Sequence, residues 1–436
     1  MIKADVIYEK KKVKKGLKYD SMIYKQNSFH YAWVILFTGT LVVFGSLGLG
    51  RFGFSVLLPA MQSGLEIDNA QAGMIATFNL VGYLALSVLG GALAARFGPR
   101  AVITAGLCTA GTTMIFTGFS DNFFSAAMWR ALTGFGSGAG NVPVIGLLAS
   151  WFTPRRRGLA AGVVVTGSSL GLIFSGPVVP MAISVFGSEG WRVCWYIFGG
   201  LTLFIAGLGL FFLRNRPSQM GLKPLGPDAG YSLDSPGALA LRWGDVYKSW
   251  PLWHLGIVYT AFGFSYIIYM TFFVKYLVAE GGYNATEAGN LFMTMGWFSM
   301  LCGLIWGSIS DVIGRRMALI SVYCIHGVSF GLFAVWPVPE GFVVSAVLFG
   351  ISAWSIPAIM AATCGDVFGP RMAPAALGFV TLLFGIGQAF GPGIAGAMAD
   401  MTGSFSSAYI LASVVAFTGA VSAFLLRSES TAVKNF

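Results

Sequence analysis

The chain has few charged residues, and its sequence shows no cluster of metal ligands and no nucleophile–base set for covalent catalysis. Asp, Glu, Lys and Arg make up 10% of its 436 residues, against about 25% in typical soluble proteins. The three histidines lie far apart, and the five cysteines form no C-x-x-C pair. These absences argue against a soluble enzyme, a zinc site and a disulfide framework. The sequence predicts no cofactor and no bound metal.

Apolar sequence takes the place of the missing charge, since 56% of the residues are hydrophobic. A helix of about 20 apolar residues crosses the ~30 Å hydrocarbon core of a bilayer. The apolar runs are continuous, unlike the alternating segments of about ten residues in membrane β-barrels. The sequence therefore predicts an all-α integral membrane protein with twelve transmembrane helices, at about 31–59, 72–95, 101–119, 122–152, 158–187, 191–213, 251–277, 286–310, 317–336, 341–365, 373–399 and 405–426.

The positive charge is unevenly distributed along the chain, whose formal net charge is +10. If the N-terminus is placed in the cytoplasm, 23 of the 27 Lys and Arg fall in cytoplasmic segments. This is the positive-inside pattern of membrane proteins. It predicts a multi-pass protein of the cytoplasmic (inner) membrane with both termini in the cytoplasm. It also explains the basic character without a nucleic-acid partner, and a monomer in the lipid bilayer is expected.

An internal repeat divides the chain, because similar segments recur at an offset of 216 residues. GALAARFGPR at 91–100 aligns with GSISDVIGRR at 307–316, and FTPRRRGLAAG at 152–162 aligns with FGPRMAPAALG at 368–378. Two six-helix halves around a central cavity are typical of secondary transporters. The predicted parts are a basic cytoplasmic tail (1–30), an N-terminal half (31–213), a cytoplasmic linker (214–250), a C-terminal half (251–427) and a C-terminal cytoplasmic tail (428–436).

The repeated segments resemble the major facilitator superfamily, and the resemblance covers about residues 30–430. The segment Gly307-x-x-x-Asp311-x-x-Gly314-Arg315-Arg316 looks like the signature between spans 2 and 3 of that superfamily, repeated between spans 8 and 9. In the first-half copy, Ala95 stands where the aspartate belongs. The resemblance implies that the signature residues gate the cytoplasmic side, and these are Gly91, Arg96, Gly307, Asp311, Gly314 and Arg315.

Two shorter segments resemble particular branches of the superfamily. RNRPSQMGLKPLG at 214–226 is similar to the start of the linker in monocarboxylate porters and oxalate/formate exchangers. GLGRFGFSVLLPAMQ at 48–62 resembles the bacterial YbfB/YjiJ-type branch. The first six residues of this second segment also fit the G-x-G-x-x-G spacing of a dinucleotide-binding loop. That interpretation fails because such a loop follows a β-strand, whereas these residues follow about seventeen apolar residues of a predicted span.

Arg51 and Arg130 are the basic residues that lie deep in predicted spans, about 12 Å from the periplasmic edge at 1.5 Å per residue. An arginine at the bilayer centre costs at least about 2.5–3.5 kcal/mol. No Asp or Glu lies deep in a predicted span to offset this cost. A cavity with two arginines and no carboxylate favours anions and repels cations. The alternative is that these long side chains snorkel to the interface or brace neighbouring helices.

Other polar and aromatic residues join the candidate site through helical spacing. Asn79 and Tyr83 share one face of span 2, and Asn141 shares a face of span 4 with Arg130. An aromatic stripe in span 7 (259–273) is either core or part of the site. The predicted substrate-binding residues are Arg51, Arg130, Asn141, Asn79, Tyr83, Tyr266, Tyr269, Trp297, Trp354 and Gln388.

These features predict a secondary active transporter that moves a small organic anion, monocarboxylate-like, by alternating access. An efflux antiporter for apolar or cationic small molecules is the alternative, and a membrane sensor or scaffold without transport is the alternative from another class. No enzymatic activity is expected. Span 8 has neither Asp nor Arg between Gly289 and Ser310, so it lacks the aspartate–arginine pair of monocarboxylate porters. Coupling to protons and exchange for a counter-anion both stay open.

Overall fold

The computed structural model describes residues 30–227 and 249–426. The predicted tail up to residue 29, the later part of the predicted linker and the tail from residue 428 lie outside these ranges. Within them the chain is nearly all helical, and one isolated β-bridge joins Phe152 to Leu225. This confirms the predicted all-α class.

The first described range begins with a span whose helical geometry changes along its length. It runs from α1 (Ala32–Val43) through a π-helical segment (Phe44–Phe52) into α2 (Gly53–Leu65), and together these pieces form one candidate membrane span, Ala32–Leu65. The helices that follow are α3 (Asn69–Phe97), α4 (Pro99–Gly118), α5 (Phe123–Trp151), α6 (Pro154–Phe186) and α7 (Gly190–Phe212).

The second described range contains the helices α8 (Trp250–Ala279), α9 (Ala285–Ser299), α10 (Cys302–Ile313), α11 (Arg315–Val335), α12 (Pro339–Gly350), α13 (Ser355–Thr402) and α14 (Ser406–Phe424). α9 and α10 together cover predicted span 8, and they meet at an angle of 41°. The predicted connection between spans 10 and 11, at 366–372, is itself helical and lies within α13. The stretches on either side, Pro339–Phe368 and Ala376–Thr402, are two separate candidate membrane spans. A connection of about seven residues is long enough to form two helical turns.

The helices suit a membrane in both length and surface. In the described ranges, nine helices are long and apolar enough to cross a bilayer, or up to eleven if each bent pair counts as one span. Large apolar side chains remain exposed on the outside, such as Phe124 at 79%, Val312 at 85% and Met401 at 86%. Apolar surface on this scale is stable in contact with lipid rather than water. The chain is therefore a multi-pass membrane protein.

Glycines allow the helices around the first span to approach closely. A Cβ atom at Gly48, in the π-helical segment, would lie 2.8 Å from the Cα atom of Gly171 in α6. A Cβ atom at Gly134 in α5 would lie 1.8 Å from the carbonyl oxygen of Asn79 in α3. Small residues at such crossings are characteristic of helix packing in membranes. They fix the spacing of the helices that carry Arg51, Asn79 and the deep part of α5.

The two ends of α3 differ in how closely other helices pack against them. At the start of α3, the backbone amides of Asn69 and Ala70 donate to the carboxylate of Asp400 in α13 at 3.2 and 2.7 Å. At the other end of α3, no neighbouring helix among the described residues comes within 4 Å of a Cβ position at Gly91. The same is true of Gly307 in α10.

Candidate anion-binding site

A small cavity, with about 10 Å³ of space accessible to water, lies between the first span, α3, α5 and α8. Its wall is mostly apolar, with contributions from Phe52, Leu80 and Ile267. Its polar members are Arg51, Ser55, Asn79, Arg130 and Thr271. Residues from the two described ranges thus meet at this site, and three of the five polar members were predicted from the sequence.

Arg51 enters the cavity from the π-helical segment, in which Gly53 N–H donates to the Gly48 carbonyl five residues earlier. Such wide turns are rare in proteins overall, and those that occur are often found at functional sites. The Arg51 side chain is buried, at 9% exposed. Its guanidinium lies 4.2 Å from the ring centroid of Tyr83 and close to the Tyr266 hydroxyl. Among the described residues, no atom accepts a hydrogen bond from its Nε or Nη2.

Arg130 reaches the same cavity from α5 and is 1% exposed. Its Nη1 donates to the carbonyl oxygen of Gly50 at 2.7 Å. Its guanidinium carbon lies 5.0 Å from the ring centroid of Phe54 and 4.7 Å from that of Trp195. In the part of the chain that the structure describes, its Nε has no acceptor. Arg130 therefore braces the first span and still presents one free donor.

Neutral polar side chains surround the two arginines. Asn79 Nδ2 donates to a backbone carbonyl of α5 at 2.9 Å, and Asn141 Nδ2 donates to the Tyr83 hydroxyl at 2.9 Å. Gln388 in α13 donates to the hydroxyl of Tyr266. The structure brings these five predicted residues next to Arg51 and Arg130. They orient one another and leave the guanidinium groups without a charged partner.

No buried carboxylate balances the two arginines within residues 30–227 and 249–426. All ten acidic residues of these ranges are exposed. Asp121 and Glu189, for example, pair with Arg192 at 3.1 and 3.0 Å near the ends of helices. The cavity consequently keeps a positive potential, and a low-dielectric wall strengthens the attraction of such a potential for anions.

The other predicted binding residues lie outside the cavity wall. Tyr269 is fully buried, and its hydroxyl shares a hydrogen bond of 2.7 Å with Ser345. Trp297 is 57% exposed. Trp354 is nearer, since its ring centroid lies 5.2 Å from that of Phe52, which lines the cavity. The structure therefore brings Trp354 close to the site but does not bring Tyr269 or Trp297 together with Arg51.

Two signature residues at the end of α10 and the start of α11 form an ion-pair cluster with an aspartate of α13, away from the cavity. Arg315 Nη1 lies 2.5 Å from Asp311 Oδ1, and Arg315 Nε lies 2.9 Å from Asp366 Oδ2. The chain turns into α11 at Gly314 with φ of 87°, a conformation in which glycine avoids the strain of a Cβ atom. Sequence reasoning missed Asp366, because nothing in a single sequence links it to Arg315, 51 residues earlier.

The first-half copy of the signature lacks this cluster. At the repeat offset of 216 residues, Ala95, Pro99 and Ser150 stand at the positions of its three charged members. Arg96 is exposed, with its guanidinium carbon 5.3 Å from the ring centroid of Phe97. The sequence analysis noted only the missing aspartate at Ala95, but all three charged residues of the cluster are absent from the first half. The two halves therefore differ at this end of the molecule, because only the second half carries the ion pairs.

Two polar residues of the cavity wall, Ser55 and Thr271, were missed. Ser55 lies four residues after Arg51, so helical spacing places both on one face, and this signal was available. Thr271 lies at the end of an aromatic stripe, where the sequence does not show which side of the helix faces a cavity.

A cavity with buried arginines between membrane-spanning helices is typical of a membrane transporter. The fold is similar to that of a bacterial homologue of the human lysosomal transporter Spinster in its inward-facing, unoccupied conformation. The TM-score is 0.72, with 15% sequence identity, and the match covers 94% of this chain and 99% of that one.

The sequence comparison gives the family. Residues 43–424 match the family model described as "Uncharacterised MFS-type transporter YbfB", and the chain belongs to this family of the major facilitator superfamily. The resemblance to the YbfB-type branch is thereby confirmed.

Two curated relatives add to this result. The chain is similar to the hexuronate transporter of Bacillus subtilis, with 26% identity over 381 residues, 84% of this chain and 87% of that protein. It is also similar to human monocarboxylate transporter 11, with 23% identity over 401 residues, 89% of this chain and 81% of that protein.

Proposed function

We propose that the protein is a secondary active transporter that moves a small organic anion across the cytoplasmic membrane by alternating access. The observation that carries this proposal is the pair of buried arginines, Arg51 and Arg130, with free donors in one cavity and no buried acid among the described residues. The names of the relatives point to carboxylates as well. The same positive potential repels cations, which disfavours the alternative of cation efflux.

The proposed architecture has twelve transmembrane helices in two halves, 31–213 and 251–427, joined by the cytoplasmic linker 214–250. Both tails, 1–30 and 428–436, lie in the cytoplasm, so that the end of the molecule near Gly91 and Gly307 faces the cytoplasm. Reporter fusions test this orientation. Fusions at Asp121 and Glu340 are expected to report the periplasm, and a cytoplasmic signal at either position would contradict the arrangement.

Alternating access in this arrangement requires each end to open in turn. We assign the contact between Asp400 and the start of α3 to closure of the periplasmic end. Asp311, Arg315 and Asp366 belong to the opposite end, where Gly91, Arg96, Gly307 and Gly314 also lie. Protons or a counter-anion complete the cycle.

A ligand screen on the purified full-length protein tests the function. Glucuronate and lactate are compared with amines of similar size and with neutral sugars, and the melting temperature is recorded for each. A ligand that binds the folded state preferentially raises the melting temperature. Anions are expected to stabilise the protein, and hits are then followed as uptake into proteoliposomes. Stabilisation by amines or neutral compounds alone would overturn the proposal and favour efflux.

A further inference from the structure

The charge in the cavity sets a requirement on the molecule that fills it. Arg51 and Arg130 are almost fully buried, and their guanidinium groups are close enough to repel each other. A bound monoanion would leave one of the two positive charges uncompensated in the membrane-spanning part of the protein, where a buried charge is costly. A bound molecule with two negative charges would compensate both.

The neighbouring helices do not supply the missing negative charge. α3 contributes Asn79 and Tyr83, α8 contributes Tyr266 and Thr271, and α13 contributes Gln388. All five side chains are uncharged. Every acidic residue of the described ranges is exposed, so none of them compensates the two arginines. We assign the compensating charge to the ligand.

The free donors of the two arginines form two separate sets. Nε and Nη2 of Arg51 lie along one edge of the guanidinium, and neither has a partner among the described residues. Two parallel N–H groups of this kind fit the two oxygens of one carboxylate. Arg130 uses Nη1 on the carbonyl of Gly50 and keeps its Nε free. A carboxylate held by Arg51 therefore leaves a donor at Arg130 for a second acidic group.

We infer that the substrate class is a small dianion. Its carboxylate binds side-on to Arg51, and its second acidic group, a carboxylate or a sulfonate, lies beside Nε of Arg130. The apolar wall formed by Phe52, Leu80 and Ile267 packs against the short carbon chain between the two groups. This inference rests on the proposed function, because it specifies which organic anions the same site takes. It narrows the monocarboxylate-like class that the sequence suggested.

Matched ligand pairs that differ by one charge test the inference. The pairs are butyrate with succinate, gluconate with glucarate, and ethanesulfonate with sulfoacetate. Dissociation constants are measured by calorimetry on the purified full-length protein, the Arg51→Gln and Arg130→Gln variants, and a control variant, Arg192→Gln. Arg192 is a suitable control because it pairs with exposed acids away from the cavity. Melting temperatures without ligand establish that each variant is folded.

In the wild-type protein, the dianion of a binding pair is expected to bind at least about tenfold more tightly than its monoanion, as an added charge pair in a low-dielectric site requires. Arg130→Gln should weaken binding of the dianion much more than binding of the monoanion, and so remove most of that advantage. Arg51→Gln should weaken the binding of both the monoanion and the dianion. Arg192→Gln should change the affinity for neither.

Equal affinities within every pair that binds would overturn the inference while leaving an anion transporter in place. An advantage of the dianion that persists in Arg130→Gln would also overturn it, since Arg130 would then not hold the second group. If Arg130→Gln does not fold, Arg130→Lys replaces it: a lysine keeps the charge but presents a single flexible donor, and the advantage should fall. If none of the six compounds binds, and glucuronate and lactate do not bind either, the proposed function is refuted and the inference with it.

Discussion

Replacement of Arg51 gives the sharpest test of the site, because affinity and stability should respond differently. Arg51→Gln removes two free donors, Nε and Nη2, and one positive charge from the cavity. A hydrogen bond to a charged group contributes about 1.5–3 kcal/mol, and each 1.4 kcal/mol corresponds to tenfold in affinity. The loss of one such bond predicts that anion affinity falls about tenfold to a hundredfold. Arg51→Lys keeps the charge but offers no planar fork, so it should lie between wild type and Arg51→Gln.

The unliganded stability of Arg51→Gln should change little. The variant loses the contact of the guanidinium with the ring of Tyr83, 4.2 Å away, which contributes about 2 kcal/mol in a desolvated site. It also loses a burial cost of at least about 2.5–3.5 kcal/mol. The burial cost that the variant no longer carries is equal to or larger than the ring contact that it loses. The melting temperature without ligand should therefore hold or rise.

Both quantities are measured on the same purified protein, by calorimetric titration with the best anion and by thermal unfolding without it. Arg192→Gln is the control for loss of an arginine outside the cavity. A near-wild-type affinity in Arg51→Gln would refute a binding role. A large drop in melting temperature together with weak binding would mean that Arg51 holds the helices together, and the loss of binding would then follow from unfolding.

Three further outcomes follow from the packing and the ion pairs. Asp311→Asn removes one of the ion pairs of Arg315 and should slow uptake into proteoliposomes while the calorimetric affinity stays unchanged; a changed affinity would contradict a gating role. Asp400→Ala removes the acceptor for two backbone amides at the start of α3. A cysteine placed at Ala76 in the cavity wall should then react faster with an impermeant reagent added from that side. Equal labelling rates with and without the substitution would contradict a role of Asp400 in closing that end. Gly48→Ala overpacks the crossing of the first span with α6, at a cost of about 1–3 kcal/mol, and should lower the melting temperature. Gly207→Ala, which meets no atom within 4 Å, is its control and should hold or raise the melting temperature, because alanine favours a helix over glycine.

The sequence predicted the helical class and the arginines at the centre of the site for the same reason. In a chain with so little charge, Arg51 and Arg130 stand out within apolar runs, and the cost of burying them points to a ligand or a partner. Asn79 and Tyr83 were predicted to share one face because residues four apart lie on the same side of any α-helix.

The remainder of the site depends on how helices rotate and bend, which apolar periodicity does not record. The five aromatic residues of the span 7 stripe are all buried: Tyr259, Phe262, Tyr266, Tyr269 and Phe273. The stripe itself therefore does not distinguish Tyr266, which contacts Arg51, from Tyr269, which contacts Ser345. Trp297 was expected in the wall but is exposed. The bend between α9 and α10 comes a few residues after it, and no Pro marks the break. Thr271 was missed for the related reason that the cavity reaches only one part of α8.

The π-helical segment affects how this protein is compared with others whose first span is α-helical throughout. A wide turn accommodates about one more residue than an α-helical turn, and one residue corresponds to about 100° of rotation at 3.6 residues per turn. Residues aligned column by column on either side of Phe44–Phe52 therefore point in directions that differ by roughly that angle. In another protein, an arginine aligned with Arg51 does not face the same cavity unless the first span of that protein contains a similar wide turn. Equivalent positions in the first span have to be identified by superposition in space.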